Sequence, residues 1–316
     1  MRLNSILKKL FFEWEWLCAY RCCDQSFDLE NQDTVLEFKV ISIKKGFWAA
    51  DPFLVNKENH IFCFFEYYSK KKRKAAIFGK ELYPKEGNEF LVHEFDGHSS
   101  YPCIFEFDGN YYMIPETKYS HSIRLLKCTE WPNKWEEIKV LMNDVDAVDS
   151  TFYSSGNESY LFVFEEKEAF NQLSLHKFNM NTLSLENVVF KKQFEKGEAR
   201  PGGSIISANG KEYRVVQPLR DHYGEKLEFF EMHLEKTKYE ERLAGELLPQ
   251  QIRINKNGKI IGVHTFNRNG SIEVIDVLLQ GHFSLFRPIK WIFGKIGIFG
   301  YGRYDDKQKY LFKKQK

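Results

Sequence analysis

The chain has 316 residues, 43% of them hydrophobic and 16% aromatic, enough to build a sizeable buried core. Its 46 basic side chains against 44 acidic ones leave a formal net charge of +2, so no chain-wide field marks a nucleic-acid partner. The cysteines at 18, 22, 23, 63, 103 and 128 form no C-x-x-C pair and no zinc-type spacing with histidine, and are expected as reduced thiols.

Residues 1–40 read as an N-terminal extension, for blade closure or as an accessory element. Lys8 and Lys9 precede an apolar patch that Glu13 and Glu15 interrupt before signal-peptide length. With no apolar run of membrane-spanning length either, the expected location is the cytoplasm.

From residue 41 to residue 281 a period organises the chain. An opening dipeptide, an apolar run, a Gly/Asn turn and a second apolar run recur from Asp51-Pro52, Tyr101-Pro102, Asp149-Ser150, Arg200-Pro201 and Leu248-Pro249, stepping by 50, 48, 51 and 48 residues. The turns Glu58-Asn59, Asp108-Gly109, Gly156-Asn157, Asn209-Gly210 and Asn257-Gly258 keep step and supply the positive φ that tight hairpins need. The strands they introduce, 61–66, 111–116, 160–165, 213–217 and 260–265, are rich in aromatic and β-branched residues. About 50 residues suffice for four short strands, and radial repetition of such sheets leaves few unpaired edges. The expectation is therefore an all-β, five-bladed β-propeller.

Residues 282–316 form a tail of nine basic residues against Asp305 and Asp306, interleaved with aromatic and aliphatic side chains. Such a mixture suits peripheral contact with an anionic membrane surface.

Trp48-Ala49-Ala50-Asp51-Pro52-Phe53, Tyr101-Pro102, Ile114-Pro115-Glu116, Asp149-Ser150-Thr151, Arg200-Pro201-Gly202-Gly203 and His264-Thr265 together resemble the propeller related to glycoside hydrolase family 43. More closely, their order resembles the N-terminal domain of plant glucosamine inositolphosphorylceramide transferases and of stand-alone bacterial proteins associated with surface polysaccharides. The resemblance implies a carbohydrate-active protein of bacterial surface-polysaccharide biosynthesis, whose partner is a carbohydrate, a sugar nucleotide or a lipid-linked glycan. A non-catalytic glycan-binding module is the alternative. The plant transferases carry a separate glycosyltransferase domain that no segment of this chain matches.

On physical grounds, the opening residues of the innermost strands should converge near the propeller axis, bringing Asp51, Tyr101, Asp149 and Arg200 to one funnel. Two carboxylates and a guanidinium in one cavity can separate into acid and base roles, as glycosidic-bond chemistry requires. The resemblance implies that Asp51 is the general base and that Asp149 tunes the acid. The hydrolases' fourth-blade glutamate is replaced here by Ala199, which leaves Glu116 as the candidate acid. Glu66 and Glu165 are expected at the same place in their own blades. Arg200 is expected either to clamp an anionic group or to pair with Asp149 or Asp51. His264, the expected fifth-blade counterpart of Glu116, is a candidate sugar ligand, as is Tyr223 on a loop after blade four. Trp48 and Tyr101 are candidate stacking platforms. No phosphate loop, G-x-S-x-G elbow or H-E-x-x-H pair occurs, and neither a cofactor nor a metal is expected.

Overall fold

The apolar runs spaced along the sequence are strands, and in the first four blades each pair of them forms the inner half of an antiparallel sheet. The computed structural model describes residues 12–23, 34–220, 222–235 and 238–283. Its first two strands are β1 (Phe12–Cys22) and β2 (Leu36–Val40). Blade one follows as β3 (Phe47–Lys57), β4 (His60–Ser69), β5 (Lys74–Tyr83) and β6 (Phe90–His93), and blade two as β7 (Ser100–Phe107), β8 (Asn110–Glu116), β9 (Ser122–Glu130) and β10 (Lys134–Asn143). Blade three is β11 (Ala147–Ser155), β12 (Glu158–Glu166), β13 (Asn171–Asn179) and β14 (Ser184–Phe194), and blade four β15 (Ile206–Ala208), β16 (Lys211–Val216), β17 (Leu227–Glu235) and β18 (Lys238–Leu247). In each of these sheets the strands lie in chain order from the axis outward. One short strand and one long hairpin complete the ring: β19 (Ile252–Ile254), then β20 (Lys259–Asn269) paired with β21 (Ile272–Phe283). The architecture is a five-bladed β-propeller.

Blade five is built differently, with strand order β19-β2-β1-β21-β20. β1 runs antiparallel to β21, pairing Leu17 with Val277, and β2 pairs with β1. Two strands that precede blade one in sequence are thus integral strands of the last blade. This corrects the expected repeat register. Leu248-Pro249 opens no inner strand; Pro249–Gln251 is a short 3-10 turn leading to β19, which runs parallel to β2 on the outer edge. The inner position belongs to β20, expected from sequence to be the second strand of its hairpin. Because the outer places are filled by β1 and β2, the chain reaches the axis one hairpin later than in the other blades.

Each blade–blade junction holds its own apolar cluster. Phe64, Ile77, Met113 and Leu126 join blades one and two, Ile114, Leu125, Leu161 and Val163 join two and three, and Phe162, Leu173, Met232 and Tyr239 join three and four. Val215, Phe229, Val263 and Phe266 join four and five, while Cys18, Cys63, Phe65 and Val274 close five onto one. Burial of one such Phe or Leu contributes about 1.5–3 kcal/mol, and its loss is felt in both sheets that share it. The Lys70–Arg73 run is an exposed turn between β4 and β5. The tail from residue 284 onward, with its expected membrane contact, lies outside the described residues.

Candidate functional site

The site is made by one irregularity repeated around the axis. The ladder between the two innermost strands shifts between Ala50 and Phe53, between Ser100 and Cys103, between Val148 and Thr151, and between Val263 and Phe266. Each shift adds a residue to the inner strand, a β-bulge that turns a side chain out of the sheet. Asp51, Tyr101 and Asp149 sit on these bulges with φ of 52°, 46° and 50°, a left-handed conformation that costs a non-glycine residue on the order of 1–3 kcal/mol. The fifth bulge carries His264-Thr265, so His264 is the counterpart of Asp51 and not, as expected, of Glu116. Glu66 and Glu116 are equivalent, each pairing with the residue before its bulge, whereas Glu165 pairs with Ala147, one step away.

Asp51 is buried, at 3% exposure. One carboxylate oxygen accepts from His264 Nε2 at 2.8 Å and from the Thr265 hydroxyl at 3.1 Å, and the other from the Tyr101 N–H at 3.2 Å. The far side of the imidazole, Nδ1, lies 2.9 Å from Asp276, which also accepts from the N–H groups of Asp51, His264 and Thr265. Burial alone would lower the His264 pKa, but Asp276 and Asp51 carry it up to about 10. A carboxylate on each side of the ring favours its charged form. Among the described residues these three form the one group whose ligand atoms lie mutually within 4.8 Å; a metal ion here would have to replace the protons that hold the trio together.

Across the funnel, Arg200 places Nε 2.5 Å from Asp149, one terminal nitrogen 3.3 Å from Glu166 and the other 3.6 Å from Glu116. Of the two expected roles for Arg200, the structure realises the internal ion pair, with Asp149 and not Asp51. Its N–H groups are turned to protein carboxylates. Asp149 also accepts from Gln217 Nε2 at 2.9 Å, and Glu116 stands beside the same guanidinium. Burial, with Glu116 and Asp51 nearby, pushes Asp149 well above the usual carboxylate range against the pull of Arg200. Glu166 is opposite in sense: burial works against its charge, yet Arg200 and Lys118, the latter 3.0 Å away, hold it below its ordinary value.

Aromatic side chains occupy the flank between blades five and one. Tyr223 is half-buried, 4.9 Å from the His264 ring and 5.8 Å from Trp16, with the Arg200 guanidinium 5.9 Å from its centroid. Trp16 lies 4.3 Å from His264, and Trp48, also half-buried, stacks on Tyr68 at 4.7 Å in the same cluster. Tyr101 differs from expectation. It is fully buried, and its hydroxyl bridges Thr151 at 2.8 Å to the carbonyl and N–H of Gly203 at 2.9 Å. It is an axial strut, with no face left for a sugar.

Asp276, Glu166, Thr265 and Gln217 belong to the site but were not singled out from sequence. Asp276 did leave a signal, a lone acid in the apolar run Val274-Ile275-Asp276-Val277-Leu278, since a buried charge must be paired.

Among solved structures, the fold is similar to a thermostable family-43 glycoside hydrolase (TM-score 0.55, 11% identity, covering 77% of this chain and 94% of that one). It is also similar to an exo-β-1,3-galactanase from Phanerochaete chrysosporium with bound β-1,3-galactotriose (TM-score 0.52, 8% identity, 83% and 64% coverage). A GH62 α-L-arabinofuranosidase catalytic domain from Coprinopsis cinerea gives a TM-score of 0.51 at 8% identity, covering 87% of this chain and 98% of that one. Curated relatives are the glucosamine inositolphosphorylceramide transferases 1 of Oryza sativa subsp. indica, 28% identical over 206 residues, and of Arabidopsis thaliana, 25% identical over 213 residues. In both cases the match covers 61% of this chain and spans 27% of the relative's length. The family model described as glucosamine inositolphosphorylceramide transferase 1, N-terminal, matches residues 38–274, which takes in the five inner strands with Asp51, Glu116, Asp149, Arg200 and His264, and the chain belongs to that family.

Proposed function

We propose that this propeller handles a glycan in its axial funnel and makes or breaks a glycosidic bond there. The observation that carries the reading is that carboxyl groups face one another across the funnel in opposite surroundings. His264 pairs with Asp51 on one side, while on the other Asp149, beside Glu116 and Arg200, is raised by burial above the usual carboxylate range. Asp51 would take the proton of a water or an acceptor hydroxyl, or attack the anomeric carbon itself. The Asp149–Glu116 pair would deliver its proton to the departing glycosidic oxygen. Trp48 and Tyr223 offer aromatic faces beside the carboxylates, as pyranose recognition uses. Family membership supports a setting in glycolipid or glycan assembly. The finer placement, a cytoplasmic enzyme of bacterial surface-polysaccharide biosynthesis acting on a lipid-linked glycan, rests on the motif resemblance.

A second reading, glycan recognition without turnover, is favoured by one observation: Ala199 stands where the resembling hydrolases carry their fourth-blade acid, with a left-handed φ of 66°. Saturation-transfer NMR on wild type and Asp51→Asn, against neutral and acidic oligosaccharides and nucleotide sugars with product formation followed in the same tubes, separates the two. Conversion by wild type alone supports catalysis. Equal binding by both proteins with no conversion leaves a recognition module.

A further inference from the structure

We infer that the funnel selects glycosyl groups that are uncharged or carry an ammonium, and turns away uronates, sugar phosphates and sugar nucleotides. This deepens the sugar-handling reading and rests on it. The argument is one of charge. Asp51, Asp276, Asp149, Glu116 and Glu166 face three cations, His264, Arg200 and Lys118. Even with Asp149, which burial raises, counted as protonated, the set keeps one net negative charge.

The cations are also committed. Arg200 is ringed by three carboxylates, His264 uses both nitrogens on Asp51 and Asp276, and Lys118 is held by Glu166. An incoming phosphate or carboxylate could reach a cation only by displacing a protein carboxylate from it, leaving that carboxylate buried and unpaired. The same sign continues outward. A groove of about 450 Å³ beside Glu166 is lined by His121, Asp144, Asp146, Lys167 and Glu168, so the field met on approach is negative as well. A hydroxyl or an ammonium, by contrast, donates to the acceptors already present, and Tyr223 and Trp48 add ring faces that attract a cation.

The test uses the full chain and one sugar ring in four charge states: 2-amino-2-deoxyglucose, glucose, glucuronate and glucose 1-phosphate, with the galactose series in parallel. Affinities come from saturation-transfer titration at about 20 mM and about 300 mM salt. The amine should bind roughly tenfold or more tighter than the carboxylate at low salt, with the neutral sugar between them. High salt should narrow the gap. Glu166→Gln should narrow it and Lys118→Met should widen it, a pair of opposite effects that general loosening of the fold would not produce. Glucuronate or the phosphate binding as tightly as the amine overturns the inference while leaving a sugar site in place. No binding by any member of either series removes the sugar-handling reading, and the inference with it.

Discussion

Replacing His264 by Gln would remove the charge that lets Asp51 and Asp276 share the axis. The free ring has a pKa of 6.5, and in the folded protein it is raised to about 10. A group raised on folding stabilises the native state fully below its unfolded pKa, and that stabilisation disappears as pH climbs through the folded value. At about 1.4 kcal/mol per pH unit across that window, the ring contributes on the order of 5 kcal/mol at pH 6 and little by pH 10. Urea unfolding of wild type and His264→Gln at pH 6, 8 and 10 reads this, because titrating groups remote from the ring cancel in the difference. The gap should be widest at pH 6 and shrink steadily towards pH 10. A gap that stays constant over this range, or an NMR titration placing the His264 ring near 6.5, would refute the imidazolium assignment.

Arg200→Met should destabilise the fold by roughly 3–5 kcal/mol in the same assay, because three carboxylates lose their common partner; a loss below about 1 kcal/mol would show that they reorganise freely. Tyr101→Phe keeps the ring but leaves Thr151 and both backbone groups of Gly203 without their bridge, a loss of about 1–3 kcal/mol visible as a lowered urea midpoint. Thiol labelling of the native protein should find Cys22, which is exposed, and spare Cys18, Cys63 and Cys103, whose burial raises their pKa values, that of Cys103 to about 12. Rapid labelling of Cys63 at neutral pH would indicate that the closure between blades five and one opens.

Four of the five blades were legible in the sequence because each announces its opening with a marked dipeptide, on a bulge in blades one to three, and its hairpin with a positive-φ turn. Glu58-Asn59, Asp108-Gly109 and Asn209-Gly210 all adopt that conformation. The fifth was misplaced for a local reason. Leu248-Pro249 imitates Tyr101-Pro102 and Arg200-Pro201, while the true bulge at His264-Thr265 has no proline to mark it. The misplacement carried into the site: with His264 assigned to a second strand, its meeting with Asp51 could not be foreseen. Asp276 and Glu166 were missed because their contacts, with the Asp51 N–H across 225 positions and with Arg200 across 34, are set by blade order and bulge geometry, neither of which a local pattern encodes. The Arg200 alternatives were rightly framed, but choosing between them needed Glu116 and Glu166 located around the guanidinium.

The closure of blade five has a bearing on how the molecule is made. Arg21 and Glu273, 252 positions apart, meet at 2.6 Å across β1 and β21. During synthesis β1 must therefore wait, its edge unmatched, while four blades emerge and pair behind it, and such distant contacts form slowly. The funnel waits with it. Trp16 comes from β1, Asp51 from β3, His264 from β20 and Asp276 from β21, so the pocket exists only once the ring has been fastened. A nascent or clipped chain with four sound blades would carry the scaffold without the chemistry, which ties competence to completion.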